Sequence, residues 1–489
     1  MKMGHFFLLL LFLGSVNPLF ADELSSEDRE ALLDRLSSAQ EQASQLDKKV
    51  FVDDGWSADL NSQNAVQMTA GEASDGEALG RVTLFARTME VLEGADVTTL
   101  DEGTLVYLEG FVDLHDGAEG IFWLDKSSSQ LQPDGGIVIA TPQEGVFWRR
   151  VYSGGVDVRW FGATGSGYPV DDYPAILNAV SNYRYLLFPE GEYYISSPIP
   201  FSSAQRFEGV GNMGSPEERG VLIVGETDCF VSEQLNSEQL GSNRDVNWLN
   251  LSFSTRSPEG VGIRLDEEYT AGWSGNPIIQ NCIFYWNLKY GVLGTIQGGT
   301  ILNSGFGTKG PNPTIVMEAG IYLDGITANT SLRIISSRFH YAQTAILLED
   351  ANGVKITGCE FEMLRGVAVW LKGVASATIS DSYFERCQTR PGDFDGFIRL
   401  DTSASGMGCR GTFILGNYFL NGGDKNVNTF IDGQWVTGMT AIANYYAPMR
   451  EGIAIYNQGA RRPMFAVGNI LISNVYMPID EINTFVPRQ

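Results

Sequence analysis

One six-residue pattern recurs through the second half of the chain and restricts its fold more than any other feature. Each clear copy begins with isoleucine, has cysteine, serine or asparagine at its fourth position, and ends with phenylalanine. The clearest copies are Ile279–Phe284, Ile334–Phe339, Ile356–Phe361, Ile379–Phe384 and Ile414–Phe419, and weaker ones end at Phe253, Phe306, Tyr446 and Leu471. The closest copies are 22 and 23 residues apart. Short strands at this interval predict a β-solenoid with one coil per repeat.

A second strand follows each copy after a turn. The clearest examples are Gly320–Asp324, Ala345–Glu349, Val367–Lys372 and Gly396–Asp401. Equivalent residues of neighbouring coils lie about 4.8 Å apart in such a stack. We therefore expect an all-β domain in which chemically similar side chains form columns along the solenoid.

The fourth position of the pattern predicts one interior column. Its members are Cys282, Ser304, Ser337, Cys359, Ser382, Asn417, Asn444 and Asn469. The asparagines are expected to form an interior amide ladder. Cys282 and Cys359 are three coils apart, on the order of 14 Å, which is too far for a disulfide. The five cysteines are therefore interpreted as buried free thiols, although an exported chain could form disulfides.

The segment that precedes the repeats contains a recognisable sequence motif. It consists of Val158–Gly167, the pair Asp171-Asp172, Ala175-Ile176, and Leu187–Ile195 with its Phe-Pro-Glu-Gly-Glu-Tyr sequence. This motif resembles the N-terminal part of the pectate-lyase superfamily domain of phage tailspikes and secreted β-helix proteins. Ser166 stands where the family usually has aspartate, and an extra residue near Tyr168–Val170 lengthens the turn. The resemblance implies a right-handed parallel β-helix over residues 156–489, and it specifies no activity.

Asp171 and Asp172 are predicted to have a structural role. Carboxylates at this position can accept hydrogen bonds from the free amides of the helix that covers the end of the solenoid.

The first 80 residues are predicted to contain a signal peptide for export and a segment that connects it to the folded domains. Lys2 followed by the apolar run Phe6–Leu13 predicts a signal peptide of residues 1–21, cleaved near Ala21, which places the protein outside the cytoplasm, secreted or periplasmic. Residues 22–80 are predicted to be a helix and a linker. The helix has a heptad-like seam at Leu32, Leu36, Ala39, Ala43 and Leu46. It either docks on its own domain or starts an oligomer.

A small β-rich module is predicted between the linker and the solenoid, over residues 81–155. Its β-like runs include Gly103–Leu108 and Gly120–Leu124, which are separated by glycine and aspartate turns.

Charge excludes several classes of partner. Lysine and arginine number 33 against 59 acids, a formal net charge of −26, so nucleic acid is not an expected partner. A polyanionic glycan would need a local basic patch or bound calcium. No membrane span is expected after the signal. With only three histidines, no histidine-based metal site is expected.

The outward positions of the repeats predict a candidate site. Since strand residues alternate in and out, six side chains of successive coils should share one wall: Arg338, His340, Glu360, Glu362, Tyr383 and Glu385. Glu362 and Glu385 would be about 5 Å apart, a separation that suits a retaining glycosidase. Tyr418 extends the wall, and its ring and that of Tyr383 could stack on sugars. The alternative is an ordinary solvated sheet surface.

The second strands predict another outward series. It comprises Asp324, Glu349, Lys372 and Asp401, with Tyr322, Leu347, Trp370 and Arg399 two positions earlier. An acid beside a base is what a polysaccharide lyase needs, with Arg399 or Lys372 abstracting the proton and Asp401 or calcium at the uronate. A cross-strand ion-pair ladder is the alternative.

Two functions fit these patterns. The first is an exported glycoside hydrolase or lyase, with Glu362 and Glu385 as the leading catalytic candidates, followed by Asp401, Arg399 and Lys372. The second is a surface protein that binds glycan without cleaving it, since the repeats contain no polygalacturonase-type motif. The resemblance to tailspikes, commonly trimeric, implies a homotrimer in preference to a monomer. A Trp370 column would need cover by a partner if it were exposed.

Overall fold

The computed structural model describes residues 84–476 apart from 129, 212–219, 233–244, 266–273, 286, 309–316, 325–329, 388–396, 422–428, 435, 449–451, 459–464, 468 and 472–474. These residues belong to one compact unit, Ala65–Gln489. The predicted signal, the seam helix with its Leu32 to Leu46 positions, and the linker lie outside the described residues. In the described part of the chain, no helix has the length and apolar character needed to span a membrane.

A small sheet comes first along the described chain. Its strands are Leu84–Ala86, Leu105–Leu108, Gly120–Asp125, Val138–Ala140 and Phe147–Arg150, and a short helix, Met89–Glu93, follows the first strand. The first two strands are parallel and the other pairs are antiparallel. Leu108, Phe122, Leu124 and Trp148 are among the buried residues of its own core. The β-like runs read from the sequence thus form strands, whereas the helix was not expected.

The remaining described strands form the solenoid, in which each coil contributes one strand to each of three parallel sheets. The first sheet contains Val156–Asp157, Tyr185–Phe188, Arg206–Gly209, Asn247–Leu249, Ile278–Gln280, Thr300–Leu302, Arg333–Ile335, Lys355–Thr357, Thr378–Ser380, Phe413–Leu415, Thr440–Ile442 and Phe465–Val467. The second contains Ser166–Asp171, Gly191–Ile195, Val221–Gly225, Ser252–Thr255, Ile283–Tyr285, Gly305–Thr308, Arg338–His340, Glu360–Glu362, Tyr383–Glu385, Tyr418–Asn421, Tyr445–Pro448 and Ile470–Leu471.

The third sheet completes each coil. It contains Ile199–Phe201, Phe230–Ser232, Val261–Arg264, Tyr290–Gly294, Ala319–Asp324, Thr344–Glu349, Val369–Lys372, Ile398–Asp401, Thr429–Gln434, Gly452–Gln458 and Val475–Tyr476. A separate parallel pair is formed by Ser274–Gly275 and Ile296–Gln297. Each strand pairs with the equivalent strand of the coils before and after it, so the expectation of one coil per repeat is confirmed.

Side chains of equal position stack inside the solenoid. The final aromatic of each repeat forms a continuous stack in which Phe339 and Phe361 have ring centroids 5.2 Å apart and Phe361 and Phe384 have centroids 4.6 Å apart. The planes of these rings are tilted by only 9° and 13°. This stack explains why the repeat ends in an aromatic residue: each ring contacts the ring of the coil on either side.

The fourth position of the repeat forms the interior ladder that the sequence predicts. The backbone N–H of Cys359 donates to Ser382 Oγ, and that of Ser382 donates to Asn417 Oδ1. Asn417 and Asn444 continue the ladder toward Asn469 through their side-chain amides. Each polar side chain therefore satisfies a buried amide of the preceding coil.

A tight turn between the first and second sheets fixes this register. The residue before each ladder position has a positive φ, for example 54° at Asn281, 50° at Ser336 and 52° at Asp381. Glycine takes the position at Gly358 and Gly416. Because asparagine, aspartate and glycine tolerate this conformation best, the repeat has small or short polar residues there.

The five cysteines are buried free thiols. Burial raises the pKa of Cys282 to about 12 and that of Cys359 to about 11. The interpretation of the cysteines as buried free thiols is confirmed.

The first coil is covered by a helix, Tyr173–Asn182. Asp171 Oδ1 accepts from the backbone N–H of Tyr173 in its first turn. Asp172 makes no such cap and instead accepts from the backbone N–H groups of Thr164 and Gly165. The structural role of the pair therefore takes two forms: one carboxylate holds the helix and the other holds the preceding turn.

A buried arginine joins the small sheet to this first coil. The Arg150 guanidinium lies between the rings of Phe122 and Trp160, at 4.5 and 4.6 Å from their centroids. It donates to the carbonyl oxygens of Gly136 and Ala118. Burial lowers the pKa of Arg150 to about 10, which leaves it charged at neutral pH.

Candidate functional site

The outward side chains of the second sheet form the wall that the repeats predict. Arg338 is in register with Glu360, and His340 with Glu362. Glu360 is in register with Tyr383, and Glu362 with Glu385. We call the outward residues of the strands from Arg338–His340 to Tyr445–Pro448 the second-sheet wall. Three adjacent coils thus place three carboxylates and one imidazole side by side.

The imidazole of His340 lies between two glutamates. Its Nε2 atom is 3.9 Å from Glu360 Oε1 and 3.9 Å from Glu362 Oε2. The other oxygen of Glu360 is 3.2 Å from Arg338 Nε. Nε2 is enclosed and has no hydrogen-bond partner. His340, Glu360 and Glu362 therefore present three ligand-type atoms toward one another.

Glu385 is held by donors on both of its oxygens. The Tyr383 hydroxyl donates to Oε2 at 2.6 Å, and Arg386 Nε is 3.2 Å from Oε1. Burial, together with this bond and the charge of Glu385, raises the pKa of Tyr383, so the phenol keeps its proton. This arrangement suits a carboxylate that acts as an anion.

The tyrosines of the wall stack on one another. The ring centroids of Tyr383 and Tyr418 are 5.5 Å apart, and those of Tyr418 and Tyr445 are 4.6 Å apart, with planes tilted by 17° and 11°. Because neighbouring rings cover one another's faces, the ladder presents hydroxyl groups and ring edges. Sugar stacking on the faces of Tyr383 and Tyr418 is therefore restricted, and hydrogen bonding to their hydroxyls is the contact that this geometry favours.

The third sheet carries the other candidate series, also in the expected register. Leu347, Trp370 and Arg399 form one column, and Glu349, Lys372 and Asp401 form the next. We call these outward residues the third-sheet wall. Trp370 is half-buried, with Lys372 Nζ 4.5 Å and Arg399 Cζ 4.4 Å from its ring centroid. The cations flanking Trp370 cover the ring, which need not lie under a partner subunit.

The cations of the third-sheet wall are engaged in ion pairs. Lys372 pairs with Glu349, and Arg399 NH2 is 2.9 Å from Asp401 Oδ2. An engaged ammonium or guanidinium must leave its partner before it can take a proton or bind an anion. The first pair joins neighbouring strands, and the second lies within the strand Ile398–Asp401. This geometry favours structural ion pairs over a lyase base.

The catalytic candidates from the sequence therefore fall on two sheets. Glu362 and Glu385 lie on the second, with Arg338, His340, Glu360, Tyr383 and Tyr418, whereas Lys372, Arg399 and Asp401 lie on the third, with Trp370. The second-sheet wall gathers the larger group of partly exposed acid–base residues.

Sequence reasoning missed two residues beside these walls. Arg386 follows Glu385 directly in the chain and pairs with it, a signal that was readable from the sequence. Asp432 is buried and in register with Arg399. The long segment between Asp401 and Phe430 interrupts the period, so that Asp432 could not be aligned with the series.

A groove on the first sheet was also missed. It has a volume of about 420 Å³ and is lined by Arg206, Glu208, Asn247, Leu249, Asn250, Ile278, Gln280 and Asn281. Its four amide side chains, Asn247, Asn250, Gln280 and Asn281, come from strands and turns of two adjacent coils. Asn247 and Asn250 lie on a coil whose repeat matches the six-residue pattern weakly, whereas Gln280 and Asn281 occupy the second and third positions of the clear copy Ile279–Phe284, which the candidate columns did not include.

Comparisons with known proteins agree with this architecture. A family model described as "Right handed beta helix region" matches residues 319–484. Another, described as "Phage tail protein small four-stranded beta-sheet domain", matches residues 93–153. The latter range contains four strands of the small sheet, from Leu105–Leu108 to Phe147–Arg150.

Solved phage tailspikes have similar structures. The tailspike protein of Acinetobacter baumannii phage AM24 is 15% identical, with a TM-score of 0.60 over 80% of this chain and 65% of that one. The tailspike protein of Acinetobacter phage vB_ApiP_P1 is 13% identical, with a TM-score of 0.53 over 81% and 71%. The enzymatically active domain of tailspike protein 4 of bacteriophage CBA120 is 14% identical, with a TM-score of 0.50 over 80% and 54%.

The described residues define a right-handed parallel β-helix. Its fold is similar to that of the two Acinetobacter phage tailspikes, as the sequence motif around Val158–Gly167 predicted. At these identities the likeness shows the fold alone. The chain spans less than two thirds of the AM24 tailspike and about half of the CBA120 domain.

Proposed function

We propose that the chain binds and cleaves an extracellular polysaccharide on the second-sheet wall. The observation that carries this proposal is the register of Glu362 and Glu385 on adjacent coils, beside His340 and Tyr383. The proposal is supported by the similarity of the fold to phage tailspikes and to an enzymatically active tailspike domain. It agrees with the export expected from residues 1–21.

The geometry favours hydrolysis with retention over a lyase reaction. Adjacent coils are about 4.8 Å apart, and retaining glycosidases hold their two carboxyl groups about 5 to 5.5 Å apart. Glu385 is held by Tyr383 and Arg386, so we assign it the role of nucleophile. Glu362, which has only His340 as an ion-pair partner among the described contacts, is assigned the role of acid.

The reaction would proceed in two steps. In the first, Glu362 gives a proton to the glycosidic oxygen while Glu385 forms a bond to the anomeric carbon and the bond to the leaving sugar breaks. In the second, Glu362 takes a proton from water, whose oxygen displaces Glu385 from that carbon. Arg338, Glu360 and the tyrosine hydroxyls would hold neighbouring sugars by hydrogen bonds.

A screen of the mature protein against neutral and uronate-rich polysaccharides tests this proposal. We expect reducing ends without unsaturated sugars, and a loss of 10²-fold or more in rate for Glu362→Gln and for Glu385→Gln. Glu259→Gln is the matched control, since Glu259 is an exposed glutamate paired with Lys289. Full activity in both wall variants would show that the assignment is wrong, and unsaturated products would favour a lyase with Arg399, Lys372 and Asp401.

A second candidate function is glycan binding without cleavage. The tyrosine ladder favours it, because stacked phenols offer a row of hydroxyl groups without acid–base chemistry. Under this alternative, a glycan would bind to wild-type protein and to Glu385→Gln with similar affinity, and no product would appear with either.

We also propose that the protein assembles as a homotrimer, as its tailspike-like fold suggests. Light scattering on the mature protein tests this, and a mass near that of one chain at micromolar concentration would exclude the trimer.

A further inference from the structure

We propose that His340, Glu360 and Glu362 form a binding site for a divalent transition-metal ion of the Zn²⁺ type on the second-sheet wall. The composition, with three histidines, predicts no such site. The structure differs because one histidine suffices when two glutamates of the neighbouring coil face it.

The distances fit a site that closes by small side-chain rotations. Zinc binds histidine nitrogen and carboxylate oxygen at about 2.0 to 2.2 Å, so two ligand atoms at a tetrahedral angle are roughly 3.4 Å apart. Both Nε2–oxygen distances are 3.9 Å, and all three ligand atoms lie within 4.8 Å of one another. Closure therefore requires shifts of about half an ångström to an ångström at the ends of glutamate side chains.

The imidazole itself points to a ligand. Nε2 of His340 is enclosed and has no hydrogen-bond partner, although two carboxylates flank it at 3.9 Å. A buried polar atom without a partner carries a free-energy penalty. A metal ion between Nε2 and the two oxygens would satisfy all three atoms at once.

A neighbouring side chain orients one of the ligands. Arg338 Nε is 3.2 Å from Glu360 Oε2, which leaves Glu360 Oε1, the oxygen nearest Nε2, available for the metal. Such outer contacts fix the orientation of metal-binding carboxylates.

The donor set selects the metal. One imidazole nitrogen and two carboxylate oxygens suit Zn²⁺ and similar divalent transition ions, whereas Ca²⁺ prefers six to eight oxygens. Two glutamate charges against a dication leave the occupied site neutral, and three protein ligands leave a coordination position for water.

Metal binding would alter the proposed function, although the site does not depend on it. A glutamate that ligates a metal through one oxygen cannot also deliver a proton from it. Under the proposed roles, a bound ion removes Glu362 as the acid and inhibits cleavage.

Isothermal titration of Zn²⁺ into untagged protein, stripped of metal with a chelator and dialysed, tests the site. We expect one ion per chain, a weakening of at least tenfold in Glu360→Gln, and no binding at this site in His340→Ala. His115→Ala is the matched control, because His115 also lies beside a glutamate, Glu119, at 3.4 Å, but is largely exposed. Co²⁺ should give visible absorption bands in wild type and in His115→Ala, and none in His340→Ala.

Two results would overturn the metal site: no stoichiometric Zn²⁺ binding by wild type, or unchanged binding by a folded His340→Ala protein. The thermal denaturation of each variant reports whether it is folded. Glycan cleavage is measured separately in chelator, so a failure of the proposed function leaves the metal result intact, and the reverse also holds.

Discussion

The backbone N–H of Asn417 donates to the side-chain carbonyl of Asn444 one coil further on, at 3.0 Å. The same oxygen accepts a second bond from the side-chain amide of Asn417. One buried atom therefore serves two donors of the neighbouring coil.

Replacement of Asn444 by alanine should strongly destabilise the solenoid. It removes the acceptor of the Asn417 backbone N–H and of one side-chain N–H, while the side-chain nitrogen keeps its bond to the carbonyl oxygen of Ile379. Each unsatisfied buried group costs about 1 to 3 kcal/mol. We expect a clear fall in the guanidinium-denaturation midpoint. Asn352→Ala, on the exposed surface of the same solenoid, should change the midpoint little. Equal midpoints for the two variants would contradict the role of the ladder.

The aromatic stack makes a similar prediction. Phe361 is fully buried between Phe339 and Phe384, so Phe361→Ala should cost about 3 to 5 kcal/mol through lost burial and a cavity. Phe413, whose exposed fraction is 44%, provides the control, since Phe413→Ala should cost less than about 1 kcal/mol. Thermal denaturation of both variants measures the difference.

The junction between the small sheet and the solenoid should be sensitive to pH. Burial raises the pKa of Asp157 from 3.8 to about 6. Because the folded state holds the proton more tightly, this stabilisation is complete below pH 4 and is lost as the pH rises through 6. The shift corresponds to about 3 kcal/mol.

Asp157→Asn tests this pH dependence. The amide oxygen can still accept from the Arg159 backbone N–H, which the carboxylate binds at 2.8 Å, while no charge is buried. We expect the variant to be more stable than wild type at pH 8 and to lose the advantage near pH 4. A difference that stays constant from pH 4 to pH 8 would refute the assignment.

The ion pair on the third-sheet wall should matter for stability. Lys372→Met leaves Glu349, which is 8% exposed, without this cation, and breaking such a buried pair costs about 3 kcal/mol. Lys289→Met, which breaks the exposed pair with Glu259, should cost at most about 1 kcal/mol. Urea-denaturation midpoints at low and high salt distinguish the two, because only the exposed pair is strongly screened.

Tyr383 should assist cleavage through its hydroxyl alone. Tyr383→Phe keeps the stack on Tyr418 but removes the donor to Glu385. We expect kcat to fall about 10- to 100-fold, a loss of roughly 1.4 to 2.7 kcal/mol, with little change in KM. Tyr445→Phe, at the far side of Tyr418 in the stack, should keep wild-type kcat, and a matching loss there would exclude a specific role for Tyr383.

The solenoid could be predicted from the sequence because its determinants are local. Ile356–Phe361 and Ile379–Phe384 encode the same strand, turn and strand with similar residues. The repeat period therefore aligns Glu362 with Glu385 before the structure is known. The helix Met89–Glu93 could not be read in this way, since five residues give too short an apolar period, and the Thr88 cap alone does not distinguish a helix from a turn.

The contacts between individual side chains of the walls were harder to predict than the columns to which those side chains belong. The period places Lys372 beside Glu349, but whether a long cation stays free or folds onto Glu349 and Trp370 depends on rotamers and local burial. For the same reason, nothing in the repeat pattern indicates that His340 Nε2 faces both glutamates of the next coil.

The three sheets run along one axis, so the hydrogen bonds between strands lie nearly parallel to that axis. A force applied along this axis would pull parallel to these hydrogen bonds. It would unfold the solenoid from one end, one coil at a time. Each released coil, 22 to 35 residues between the ends of successive copies, would lengthen the tether by roughly 75 to 120 Å of extended chain. A solenoid that unfolds in this way would dissipate tension in a series of small, unequal steps and would retain its remaining coils throughout.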